Sequence, residues 1–291
     1  MADVTADMVK ELREKTGARM MDCKKALDQT KAEYADKGRG PWMDAGEKFI
    51  RITTQAKGGE MKEKAASEGL LGMKRSADGK AVTIVEMTAT TDFVAKNDQF
   101  LKLLQQLVDL SDAGKINSAE KLNAATLNGS PVAEVVKAMA GNIGENISVK
   151  RVERFEGEVG CYIHFDNKQG ALVELDGVSG QAAIDLGKEL CMHIVAAVPV
   201  PSYLTREEVP ADLLAKEKEI ISERLKNDPK NAGKPPQILE KIVTGQLGKF
   251  YGEHVLPDQL YAMDNSKTVA QVLKDRGNAT VKRFARFQVG V

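Results

Sequence analysis

Few residues of this chain could do covalent or metal chemistry, and they are scattered. Its three histidines are His164, His193 and His254, and its three cysteines are Cys23, Cys161 and Cys191. Cys191 and His193 stand two apart on a predicted helix and so face different ways, which argues against a shared metal ion. Glu189 and His193 are four apart and can meet on one helix face, as a contact rather than a site. The cysteines are odd in number, far apart and never in a C-x-x-C pair, so they read as reduced thiols packed as small hydrophobes. There is no G-x-x-x-x-G-K-S/T loop, no G-x-G-x-x-G opening a helix and no G-x-S-x-G elbow. The chain is therefore expected to carry no catalytic residue, no metal and no cofactor, and to work by contact.

One stretch is built for contact: Thr91-Asp92-Phe93-Val94-Ala95-Lys96-Asn97-Asp98. A strand-like run, Ala81 to Met87, leads into it, and a helix-like run from about Phe93 to Leu110 leads out. Thr91 or Asp92 can cap that helix by accepting from its unpaired N–H groups, and the helix dipole favours the acid there. Phe100, Leu103, Leu104, Leu107 and Val108 repeat at helical spacing and must face a core. Phe93 lies at least a turn ahead of that stripe. It is either a hydrophobic staple that fixes the helix start or an anchor for a pocket on another molecule.

The elements that position this stretch follow from the rest of the chain. A length of 291 residues allows two or three domains. With 42% hydrophobic and 29% charged residues the composition is that of a soluble globular protein. The formal net charge of zero argues against a protein whose main task is gripping a phosphate backbone. No apolar run reaches the length of a membrane span. The first residues have neither a basic nor an apolar signal region, so a cytoplasmic protein is expected.

The expected fold class is α+β. Residues 1–57 read as a small three-helix module, with Thr5 capping the first helix, Gly17 ending it, and a second helix starting near Met21 and blurring after Leu27. Trp42, Phe49 and Ile50 mark the third helix, which Pro41 opens. Residues 58–69 read as a linker, 70–155 as a first core subdomain and 156–291 as a second. Each subdomain holds a β-β-α unit: TIVEM precedes one helix and ALVEL the other. The Asp78-Gly79 pair signals a hairpin turn in the first unit. In the second, Gly160 to Phe165 and Gly170 to Leu175 read as strands, and Gln181 to Val198 as the helix. Residues 212–251 read as an antiparallel helical hairpin that can project, because each helix can bury its stripe on the other. Val281 to Val289 alternates as a final strand.

Thr5 to Leu27 (TADMVKELREKTGARMMDCKKAL) and TDFVAKND closely resemble the bacterial elongation factor Ts family. Shorter likenesses follow in order: Ile143 to Ile147 (IGENI), Met192 to Ala197 (MHIVAA), Ser266 to Leu273 (SKTVAQVL) and Arg286 to Gly290 (RFQVG). Arg19 stands where the family often has a small residue. Thr88-Ala89-Thr90 stands where the family usually has an Asn-Cys-Glu-like run, and a further C-terminal helix that some members carry is not expected after RFQVG. The resemblance implies a guanine-nucleotide exchange factor for elongation factor Tu, binding both its GDP-bound and nucleotide-free forms and contacting neither nucleic acid nor membrane. It implies that the N-terminal module is a UBA-like bundle docking through Met20, Met21 and Lys24. It implies that Thr91, Asp92, Phe93 and Val94 form a tip that disturbs the partner's magnesium site, and that His164 makes a second contact. The competing reading is an adaptor that joins partners through the module and the hairpin without promoting exchange.

Overall fold

The computed structural model describes residues 3–60, 66–228 and 234–291. They fall into two compact units. One comprises residues 1–76, 83–154 and 288–291, the other 77–82 and 155–287.

The first unit begins with three helices: α1 (Ala6–Thr16), α2 (Met20–Tyr34) and α3 (Arg39–Glu60). The Thr5 hydroxyl accepts from the Met8 N–H, and Gly17 closes α1 in the left-handed conformation, its N–H donating to the Arg13 carbonyl. Met8, Leu12, Cys23, Leu27, Trp42 and Ile50 form the core of these helices. The Trp42 indole N–H donates to the Leu27 carbonyl at 3.0 Å. Burial also pushes the Cys23 thiol up, which keeps it an unreactive hydrophobe. Helix α2 continues past Leu27, where its sequence pattern blurs. It runs to Tyr34, with a 3-10 turn at Ala35–Lys37. The segment ends at the Gly38 break, so the polar residues after Leu27 blur the helical pattern without ending the helix. The middle of the expected linker, residues 61–65, lies outside the described residues. Helix α3 runs to Glu60, and the first strand starts at Glu68.

Next come β1 (Glu68–Arg75), β2 (Ala81–Ala89), α4 (Asp92–Ala95), α5 (Asp98–Ala113) and α6 (Ala119–Ala124). After them come β3 (Thr126–Leu127), β4 (Ser130–Pro131), α7 (Val132–Ile143) and β5 (Ile147–Glu156). The sheet order is β1-β2-β5, so β2 is central, and it is buried along its whole length. Phe100, Leu104 and Leu107 of α5 and Val136 and Ala140 of α7 pack on Val85 and Met87 of β2 and Val149 of β5. Helix α3 lies against α7 so closely that a β-carbon on Gly141 would stand 1.9 Å from the Thr54 carbonyl oxygen. The three N-terminal helices are thus built into the first unit through α7. The small β3–β4 hairpin and α6 are too short to leave a periodic pattern, and sequence reading missed them.

The second unit contains β6 (Glu158–Ile163), β7 (Gln169–Asp176), α8 (Gly180–Ala196), α9 (Ala211–Asn227) and α10 (Pro236–His254). It ends with β8 (Leu260–Tyr261), β9 (Asp264–Thr268), α11 (Val269–Asp275) and β10 (Thr280–Gln288). Its sheet order is β10-β7-β6. In both sheets the second strand of the opening pair is central, and the strand that follows the helices pairs with it. That shared topology is what the TIVEM and ALVEL echo reflects. Helix α8 rests on β6 at a glycine pair: a β-carbon on Gly160 would stand 2.2 Å from the Gly187 backbone. Helices α9 and α10 pack on each other through Ile221, Leu225 and Val243. The expected turn between them falls on residues 229–233, which lie outside the described residues. No described helix is long and apolar enough to cross a membrane.

Candidate functional site

The 91–98 stretch does not form one helix from Phe93 to Leu110. It forms the single turn α4, stops at Lys96, and restarts as α5 with Asn97 as its cap, the Asn97 side chain accepting from the Gln99 N–H at 2.8 Å. Asn97 takes the capping role that sequence reading gave to Thr91 or Asp92. The Thr91 side chain makes no capping bond. Its hydroxyl donates to Glu145 Oε2 at 2.9 Å instead.

This break sets which side chains face outward. Val94 and Ala95 turn into the core beside Phe100 and Leu103. Phe93, on the opposite side of the turn, is 82% exposed, which rules out the staple. Of the four tip residues, Val94 is a buried root and Phe93 the presented ring. Asp92 is half-buried and ion-paired to Lys96 at 2.8 Å. Both partners of that pair face water, so it contributes little and can be exchanged for another cation.

The tip is braced from behind. The Thr90 N–H donates to the Asn146 carbonyl, and the Asn146 N–H donates to the Thr90 hydroxyl, each at 3.1 Å. The Thr88 and Ser148 hydroxyls meet at 2.8 Å. Thr88 and Thr90 therefore tie the end of β2 to the start of β5. Glu145 and Asn146 were missed as supports. Their one signal was the short IGENI likeness, and no spacing rule links residues 90 and 146.

Met20 and Met21 are 54% and 70% exposed at the start of α2, with Lys24 exposed one turn on. They share the first unit with the tip. His164 belongs to the second unit. Strand β6 ends at Ile163, so His164 and Phe165 lie in the β6–β7 turn rather than in a strand. The His164 Nδ1 lies 2.8 Å from the Tyr162 hydroxyl, and its ring lies 4.5 Å from that of Phe165, which is 88% exposed.

The other candidate chemistry is internal. The buried His193 imidazole accepts from the Ala262 N–H at Nδ1, so in the neutral ring Nε2 carries the proton and donates to Gln259 Oε1 at 3.0 Å. Desolvation holds its pKa below the usual histidine value. Glu189 does not pair with His193; it accepts from Tyr261 and Arg276. Among the described residues no group of three histidine, cysteine or acidic side chains could hold a metal ion.

Fold and site together define an α+β protein with one exposed aromatic tip held by a braced turn. The family model described as Elongation factor TS matches residues 90–291. An elongation factor Ts from Deinococcus deserti is 40% identical, the alignment covering 98% of this chain and 99% of the relative. One from Methylococcus capsulatus is 40% identical over 99% of this chain and 92% of its own. One from Beutenbergia cavernae is 40% identical over 100% of both. The chain belongs to the elongation factor Ts family, and with it to the elongation factors of protein biosynthesis.

Proposed function

We propose that this protein is a guanine-nucleotide exchange factor for elongation factor Tu, acting in the cytoplasm by binding alone. The observation that carries this reading is the 82% exposure of Phe93 on a turn whose neighbours Val94 and Ala95 are buried. An exposed ring on a fixed root is a preorganised anchor, the kind of residue that dominates interface energy. Met20, Met21 and Lys24 dock the N-terminal helices on the partner. Phe93 enters an apolar pocket there, and Asp92 is carried toward the groups around the partner's magnesium ion. Magnesium requires near-ideal octahedral geometry, so a small displacement of its ligands weakens it, and the β-phosphate is released with it. His164 makes a second contact, with the Phe165 ring beside it. Factor and GDP then weaken each other's binding equally, and no covalent step is required.

Stopped-flow release of labelled GDP from the elongation factor Tu of the same organism tests this. Accelerated release supports exchange. Binding without acceleration supports the adaptor reading and removes this one.

A further inference from the structure

One short segment, Ile143 to Asn146, touches both partner-facing parts of the first unit. On one side the Arg19 guanidinium donates to the Ile143 carbonyl, the last of α7. A cation suits that position, since the C-terminal carbonyls of a helix lack partners and carry its negative end. Arg19 is also the N-cap residue of α2, immediately before Met20 and Met21. Close by, Asn142 Nδ2 donates to the Thr16 carbonyl at 3.2 Å. On the other side, Glu145 accepts from the Thr91 hydroxyl and Asn146 exchanges two hydrogen bonds with Thr90. Gly144 reverses the chain between the two, in the left-handed conformation at φ 83°. A further contact closes the loop: Gly17 faces Gln99 in the first turn of α5, where a β-carbon would stand 2.9 Å from Gln99 Nε2.

We propose that Ile143–Asn146 is a clamp that fixes the Phe93 tip relative to the Met20–Met21 surface, with Arg19 and Glu145 as its positioning residues. The inference rests on the exchange reading for its purpose but not for its geometry. If the partner is seized by Met20 and Met21, the ring of Phe93 arrives at one place only when α2 and α4 are mutually rigid. A pendant tip would lose effective concentration at its pocket, as any loosely tethered second contact does. The clamp joins residues 124, 54 and 56 positions apart in sequence by directed hydrogen bonds, which hold orientation as well as distance.

Two measurements on the full chain test it. The first is amide hydrogen exchange of the free protein. Arg19→Ala, remote in sequence from the tip, is expected to speed exchange about tenfold at Thr90, Ala95 and Asn97, while the α5 core amides stay protected. Unchanged exchange at those three amides would overturn the clamp. The second is a cycle of GDP-release rates at saturating factor. Arg19→Ala is expected to slow release about tenfold with little change in half-saturating concentration, and to cost far less once Phe93→Ala is present, because a displaced tip has little left to lose. Glu145→Gln, which keeps an acceptor oxygen for the Thr91 hydroxyl, should recover most of what Glu145→Ala loses. Arg19 and Phe93 effects that simply multiply would show two independent contacts and no clamp. If the unaltered protein fails to release GDP but Arg19→Ala still loosens the tip amides, the clamp stands and the exchange reading falls.

Discussion

Replacing Phe93 with alanine separates a presented ring from a structural one. Full burial of a phenylalanine side chain stabilises by about 1.5–3 kcal/mol relative to water. The ring is 82% exposed in the free protein, so nearly all of that gain remains for a partner. Phe93→Ala should therefore weaken the interaction by about 2 kcal/mol, a ~30-fold loss in the second-order rate of GDP release. The same exposure means that the fold hardly notices, with a stability change within about 0.5 kcal/mol. Its neighbour supplies the contrast. Val94 is 6% exposed within the β2–α5 core, and Val94→Ala should cost about 2 kcal/mol of stability through lost burial and the cavity left behind. The assay pairs stopped-flow release of labelled GDP with urea unfolding of each variant. The reasoning is refuted if Phe93→Ala releases GDP at the unaltered rate, or if it unfolds as readily as Val94→Ala.

Thr91→Val removes the hydrogen bond to Glu145 and should cost about 1 kcal/mol of stability by urea unfolding, with slower GDP release. Gly141→Ala would set a methyl 1.9 Å from the Thr54 carbonyl oxygen, so α3 must leave α7; a loss of about 3 kcal/mol is expected, and near-normal unfolding would show that the helices can part freely. Burial holds the His193 pKa below its unfolded value of 6.5, so the unfolded chain takes up the proton first and stability falls as pH drops below that value. Urea midpoints measured between about pH 7.5 and 5 should fall for the unaltered protein and fall less for His193→Gln. Replacing residues 228–235 with a shorter turn should leave GDP release nearly intact, because Ile221, Leu225 and Val243 still hold α9 to α10; abolished release would move the active surface to the hairpin.

Local chemistry made much of the fold legible. Thr5 and Gly17 bound α1 because a cap and a left-handed glycine act within one turn. The α5 stripe and the β6–β7 pair were readable because burial on one face imposes a period. Where two signals competed, the reading slipped. The run from Phe93 to Leu110 reads as one helix although its apolar stripe begins only at Phe100, and Asn97 caps a new helix there and divides it. His164 and Phe165 alternate as a strand would, but a turn closes over them, with the Asn167 N–H donating to the His164 carbonyl.

Residue types and spacing determined that the chain is α+β and that Thr91 to Val94 is the stretch to watch, and the resemblance of Thr5 to Leu27 and of TDFVAKND pointed to the elongation factor Ts family. Tertiary structure decided which of those four side chains leaves the core. It turned Val94 inward and Phe93 outward where the residues leading into α4, Thr90 and Thr91, are pinned by hydrogen bonds to Asn146 and Glu145. Those partners are more than fifty residues away, and a contact across that distance leaves no period in the sequence; it exists only once the backbone has brought the two segments together.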